Sequence, residues 1–276
     1  MQPMRRESPY PMVPIDEARR IIAAQVAPLP SEEVDALAAD GRVLAEDVFA
    51  GEDLPDVPKA AVDGYALRAA DGLADRRVLA ELTAGGVAQV TLLPGAAARI
   101  MTGAPLPPGA DAVIMVEQTE ERDGVLRVSA AVAPGNSVHT TGQDIARGEL
   151  VLSRGTPLGA AEIGMLATLG RVRVRAYRRP VVAVLATGDE VREPNAPASA
   201  GGIRDSNRYA LMAAAREAGC AAISLGIARD DPDVQRDAIL AGLERADVLL
   251  TSGGVSMGTR DLIKPLLAEL GTVHFG

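Results

Sequence analysis

Residues able to do chemistry gather in a few short runs of this chain. Val248, Leu249 and Leu250 lead into Thr251-Ser252-Gly253-Gly254, and Ser256, Gly258 and Asp261 follow before the apolar Leu262, Ile263, Leu266 and Leu267. An apolar strand, a Gly/Ser loop and a helix start make an anion cradle, because bare backbone admits a ligand closely and helix N-termini are electropositive. Asp261 opposes an anion alone but suits one bridged by a divalent cation. A second run, Thr187-Gly188-Asp189-Glu190, follows the apolar residues 181–185, and Asp205-Ser206-Asn207 precedes a helical stretch. If these strands share one parallel sheet, both loops open into one crevice beyond its carboxyl ends. Glu190, Asp205 and Asp261 are then oxygen donors for a hard cation such as Mg²⁺. Helix capping and dipole compensation account for each of the three taken singly. A plain strand-to-helix turn would use the same glycines, and the loop is neither a P-loop nor GxGxxG.

Periodicity supplies the elements that must position these runs. From Pro180 the pattern is strand, loop, helix: residues 181–185, a helix over 209–218, a strand over 222–228, a helix from Asp231-Pro232 to Leu243, and the strand 248–250. Earlier, Ile15, Ala18, Ile22 and Val26 have helical spacing, residues 33–39 form a weaker helical stretch, and residues 42–48 read as extended. Short β-like runs at 87–93, 99–101, 112–117 and 125–128 mark a small β-rich domain. Before it, Pro55 and Pro58 hold residues 53–66 extended as a linker and hairpin. A helix over 163–169 and a strand over 171–179 with exposed Arg171, Arg173 and Arg175 complete the pattern.

Composition excludes several classes. The chain has 276 residues, enough for two or three domains, and its single Cys220 excludes an internal disulfide framework or a thiolate cluster. Aromatics make up 2% and the net charge is −9, so the stacking platforms and basic face of a nucleic-acid binder are missing. No run approaches the roughly 18 apolar residues of a membrane span, and residues 1–12 lack an apolar signal core, so no membrane partner and a cytoplasmic location are expected.

Taken in order, Asp63-Gly64-Tyr65-Ala66, Arg99-Ile100-Met101-Thr102-Gly103-Ala104, Gly142-Gln143-Asp144-Ile145, Ala186-Thr187-Gly188-Asp189-Glu190, Asp205-Ser206-Asn207-Arg208 and Ser252-Gly253-Gly254-Val255-Ser256-Met257-Gly258 resemble the MoeA / gephyrin E-domain family, the molybdopterin molybdotransferases. The resemblance implies an α/β and β multidomain fold. Its parts are a MogA-like three-layer α/β domain with a parallel-rich sheet at 180–276, incomplete at its C-terminus, a β-rich domain at 51–133, and a mixed helical and linker domain built from 14–50 and 134–179. It also implies insertion of molybdenum from molybdate into adenylylated molybdopterin, dependent on Mg²⁺, with release of AMP. The enzyme would be a homodimer whose cleft lies between the α/β domain of one subunit and the β-rich domain of the other, with a MogA-type adenylyltransferase as a suggested partner. A non-catalytic molybdopterin-binding or scaffolding homolog is the alternative. A MogA-type adenylylating activity is a third reading, opposed by the long β-rich segment before Pro180.

Carried over, Asp63, Thr102, Asp144 and Glu190 take catalytic positions. Thr187, Gly188, Asp189, Ser206, Asn207, Ser252, Gly253, Gly254, Ser256 and Gly258 take substrate positions, and Glu190, Asp205 and Asp261 the metal. Two departures stand out. Ala60 replaces a serine that the family commonly has three residues before Asp63, removing a hydroxyl that would bind or orient substrate. The chain stops at Val273-His274-Phe275-Gly276, where the family continues with a Lys-Pro-Gly-Lys-Pro stretch and a further β domain, so a piece of a longer protein is expected.

Overall fold

In the computed structural model of the chain, residues 13–86, 89–253 and 262–275 are described. Chain contacts divide it into two compact units: one of residues 1–45, 157–163 and 173–276, the other of residues 46–156 and 164–172.

In the first unit the apolar run after Pro180 becomes the strand Val181–Thr187, buried along nearly its whole length. Two parallel neighbours flank it, Ala221–Ala228 on one side and Val248–Ser252 on the other. Side chains alternate across a strand, so Val182 and Val184 face one layer while Leu185 faces the other. The first layer is the helix Asn207–Glu217, which packs Ala215, Leu211 and Met212 on those valines. The second is formed by the helices Pro232–Leu243 and Ile263–Leu270, which bring Ile239, Ile263 and Leu266 onto Leu185. The result is a three-layer α/β arrangement, in keeping with the expected fold class. Asp231 starts the Pro232–Leu243 helix by accepting from the amides of Asp233 and Val234 at 3.0 Å each, with proline in the position that needs no donor. Asp247 fastens the sheet at its amino end: it accepts from Val181 N at 2.8 Å and receives Arg178 in a two-pronged pair at 2.6 and 2.9 Å. That arginine pair is the main reason its carboxyl lies below the usual carboxylate range, the Val181 amide adding to it.

The same unit holds an antiparallel pair, Ser31–Asp35 with Arg173–Tyr177, in which Val174 and Ala176 are buried and the arginines point outward. This corrects the helical expectation for residues 33–39. Only Leu37–Ala39 turns, as a single 3-10 turn. Pairing with Arg173–Tyr177 and the Glu33–Arg173 ion pair override a weak local helical preference.

The second unit is built on a six-stranded sheet in the order Ala112–Met115, Gly64–Leu67, Ala96–Ile100, Arg76–Leu82, Val125–Val128, Thr119–Arg122. All neighbours are antiparallel except Arg76–Leu82 beside Ala96–Ile100. Both faces are filled mainly by alanine and aliphatic residues: Ala60, Ala66, Ala98, Ile100 and Val113 on one, and Leu67, Ala97, Ile114 and Leu126 with Tyr65 on the other. Gly64 is required here, since a Cβ would lie 1.9 Å from the Ile114 carbonyl oxygen. The expected β run at 87–93 is not a strand over its described residues 89–93; Arg76–Leu82 takes its place in the sheet. Alternation there is masked in the sequence because the inward side chain at its start is Arg76, buried with its guanidinium donating to Gly72 O and Ala74 O at 2.7 Å each. Residues 134–156 join this unit through Val138–His139 on Lys59–Ala60 and Leu150–Leu152 on Val48–Phe49.

Candidate functional site

In the β unit, Asp63 and Thr102 meet. The Thr102 amide and hydroxyl both donate to Asp63 Oδ1 at 2.7 Å, while Asp63 itself is exposed. The turn that presents Thr102 is pinned on both sides: Met101 N donates to Leu82 O at 3.0 Å, Gly103 N to Ala60 O at 2.8 Å, and Ala60 N to Ala104 O at 2.9 Å. Gly103 sits at φ +79, a conformation that favours glycine. The Thr102 amide, followed by its hydroxyl, holds the Asp63 carboxyl below the usual carboxylate range. Asp63 is therefore an anion at neutral pH, able to accept a hydrogen bond from a ligand and poorly suited to donate a proton.

Ala60 is fully buried in the alanine-rich cluster with Ala66, Leu92 and Ala98. A side-chain hydroxyl at this position would meet apolar core rather than solvent, so the departure from serine does not remove a group from an open surface. What position 60 contributes is its backbone, which brackets the Thr102 turn.

Asp144, the third residue matched in this unit, is exposed in a turn built against residues 53–55. Asp144 N donates to Leu54 O at 2.9 Å, Gly142 N to Pro55 O at 2.9 Å, and Arg147 N to Asp53 Oδ1 at 2.8 Å. No hydrogen bond joins Asp144 to Asp63 or Thr102 among the described residues. A cleft of about 510 Å³ opens beside Gly103, walled by Gly85, Gly86, Pro105 and Leu106, with Lys59 and Asp56 paired at 2.9 Å. The sequence reading missed Lys59; its cation four residues before Asp63, in a proline-stiffened run, was the available signal.

In the α/β unit, Thr187 and Ser252 end neighbouring parallel strands, and Thr187 Oγ1 donates to Ser252 O at 3.4 Å. Gly253 follows at φ +102, where a Cβ would lie 2.5 Å from Thr187 O. The two loops therefore begin side by side at the carboxyl ends of one sheet. Gly188, at φ +132, leaves room for the Glu190 carboxylate, which a Cβ would meet at 2.6 Å. Its N–H donates to Ala228 O at 3.1 Å, and Asp230 N donates to Asp189 Oδ1 at 3.3 Å. Asp230 thus stands beside Asp189. It was not singled out because Arg229-Asp230-Asp231-Pro232 reads as a helix-capping run, a role that Asp231 alone performs. Gly254, Ser256, Gly258 and Asp261 lie outside the described residues.

Asp205, expected among the metal ligands, is engaged in an internal ion pair. It is 4% exposed, and its carboxylate is used internally: Oδ1 accepts from Arg208 N at 3.0 Å and Oδ2 from Arg208 Nε at 2.6 Å. Ser206 and Asn207, matched to substrate positions, are exposed at the start of the helix, and Ser206 makes no side-chain cap; Asp205 does that work. Among the described residues no group of three or more His, Cys, Asp or Glu side chains is placed to hold a metal ion. A carboxylate already committed to a buried guanidinium has little left to offer a cation.

With this geometry in view, the relatives of the chain can be set beside it. Residues 13–170 match the model described as MoeA N-terminal region (domain I and II), and residues 183–275 match the one described as probable molybdopterin binding domain. The chain is 38% identical to a molybdopterin molybdenumtransferase of Nostoc sp., across 95% of this chain and 63% of that protein. It is 35% identical to one of Haemophilus influenzae, across 96% and 66%, and 35% identical to gephyrin of Dictyostelium discoideum, across 99% and 42%. The crystal structure of a molybdopterin biosynthesis MoeA protein from Pyrococcus horikoshii superposes with a TM-score of 0.81 at 34% identity, covering 95% of this chain and 67% of that one. The chain spans less than two thirds of the length of these curated relatives.

Proposed function

The chain belongs to the MoeA and gephyrin family, and on that footing we propose that it is, or is part of, a molybdopterin molybdotransferase, inserting molybdenum from molybdate into adenylylated molybdopterin with release of AMP. One observation carries the reading. Thr187-Gly188-Asp189-Glu190 and Ser252-Gly253 adjoin at the carboxyl ends of a parallel sheet, inside the span matching a molybdopterin-binding domain. Such ends are where open α/β sheets bind ligands.

In this reading the α/β loops hold the pterin and its phosphates. Gly188 and Gly253 let backbone approach the ligand, and Asp189 and Glu190 accept hydrogen bonds from its donors. Asp63, kept ionised by Thr102, orients a donor of the bound molecule or of an attacking water. Thr102 keeps Asp63 in place, and Asp144 is a further exposed acceptor on another turn of the β unit.

A divalent cation would supply neutralisation of phosphate charge. The described residues do not fit the expected three-carboxylate set: Asp205 is taken by Arg208, and Glu190 is the one described member left exposed. No step is therefore assigned to the cation. A homodimer belongs to the same proposal, supported by the helix Ile15–Gln25, which buries none of its residues and leaves Ile15 and Ile22 exposed. A cytoplasmic location is proposed with it; no described helix is long and apolar enough to cross a membrane. The test is to supply adenylylated molybdopterin and molybdate and to follow AMP. Release above the protein-free rate is expected, and none from an enzyme that binds the pterin would sink the reading.

A further inference from the structure

The segment 188–205 carries Asp189 and Glu190 away from the sheet and returns to start the helix Asn207–Glu217. Its own backbone closes through a two-residue parallel pairing of Val191–Arg192 with Ile203–Arg204. Ile203 N donates to Glu190 O and Asp205 N to Arg192 O, each at 2.8 Å. Two short strands are marginal alone, so something else must hold them.

Arg208 supplies that hold. It is 5% exposed, and all three of its side-chain nitrogens are engaged by three different segments. Nε takes Asp205 at the helix start, one terminal nitrogen takes Ser224 Oγ in the strand Ala221–Ala228, and the other takes both oxygens of Glu193 at 2.6 and 2.8 Å. Glu193 directly follows Val191–Arg192, and its side chain is 45% exposed, so the arginine draws a surface loop onto the sheet. A buried ion pair is a costly way to gain stability, since apolar residues of similar size do as well. What it provides instead is fixed geometry: a planar fork that accepts one arrangement of carboxylates. With two carboxylates on one guanidinium the cluster keeps a net negative charge and offers no cation to an anionic ligand.

We propose that Arg208 is a positioning residue: it sets the loop bearing Asp189 and Glu190 through its bonds to Glu193 and Ser224, and Asp205 serves Arg208 rather than a metal ion. The first half concerns the structure alone; its catalytic consequence rests on the functional reading above.

The test uses the full chain and the variants Glu193→Ala, Glu193→Gln and Asp205→Asn. Glu193 is half-exposed, so its variants keep Arg208 paired with Asp205 and remain folded. In Glu193→Ala, amide exchange at Ile203 and Asp205 should quicken about tenfold while amides of Val181–Thr187 stay unchanged. Glu193→Gln, which keeps one acceptor, should recover part of the protection. The KM for adenylylated molybdopterin should rise about tenfold in Glu193→Ala with kcat within about twofold. In Asp205→Asn the Mg²⁺ concentration giving half-maximal AMP release should stay within about twofold of the parent. Unchanged exchange at Ile203 and Asp205 would overturn the positioning role, and a shift of about tenfold or more in the Mg²⁺ response would overturn the reassignment of Asp205. If the protein that carries this chain binds the pterin and releases no AMP, the functional reading fails while the exchange data still decide the role of Arg208.

Discussion

Asp63 in the β unit and Asp205 in the α/β unit begin from the same standing, an aspartate in a short polar run near a glycine or a helix start. Their surroundings separate them. Asp63 is exposed and receives two donors on one oxygen from a single neutral residue, which leaves its other oxygen with no protein donor among the described residues. Asp205 is 4% exposed and spends both oxygens on Arg208. The first is a charge made available; the second is a charge used up in construction. A carboxylate in a motif is therefore not yet a ligand, and which it becomes depends on whether a buried cation has claimed it.

If that division is right, the two residues should fail in opposite ways. Asp205→Ala takes from the buried Arg208 guanidinium one of its two carboxylates, leaving Glu193, and removes the acceptor of the Arg208 amide; it should cost about 2–3 kcal/mol of unfolding free energy in urea, the largest effect expected. Asp247 is intermediate: partly covered, bonded to Arg178 and to Val181 N. Asp247→Ala should cost about 1–2 kcal/mol in the same titration. Asp63→Asn should change stability least yet lower AMP release about 100-fold, because it alters orientation at an open site. Reversal of that order would dissolve the comparison.

Acid provides a further check. Asp63 and Asp247 both have folded carboxyls below their ordinary values. A depressed carboxyl stabilises the fold fully above the unfolded value, and the contribution is lost as pH falls through the folded one. Stability should therefore decline from about pH 5 downward, and the decline should be shallower in Asp247→Asn. An equal slope in parent and variant would show that Asp247 is not among the groups responsible.

The sheet and its helices were legible because Val181-Val182-Ala183-Val184-Leu185 and Val248-Leu249-Leu250 are apolar runs flanked by glycine and capping residues. The placement of Thr187 beside Ser252 followed from parallel order alone, and the structure bears it out. Strand Arg76–Leu82 was missed because the buried inward residue at its start is an arginine whose two terminal nitrogens donate to carbonyls, which no hydrophobic pattern can register. Ser31–Asp35 was misread because its strand identity depends on a partner about 140 residues away. Asp63 and Thr102 could be named from the resemblance, but the bond between them depends on the Ala60 backbone fixing the turn. The fate of Asp205 was hidden for a similar reason: Arg208 is three residues on, yet its other partners, Glu193 and Ser224, lie on separate segments.

The most direct measurement of the whole account is AMP release from adenylylated molybdopterin, with molybdate present and absent, by the parent chain and by Asp63→Asn. Molybdate-stimulated release by the parent, greatly reduced in the variant while pterin binding persists, is the predicted result. Tight pterin binding with no AMP formed by either protein would contradict it.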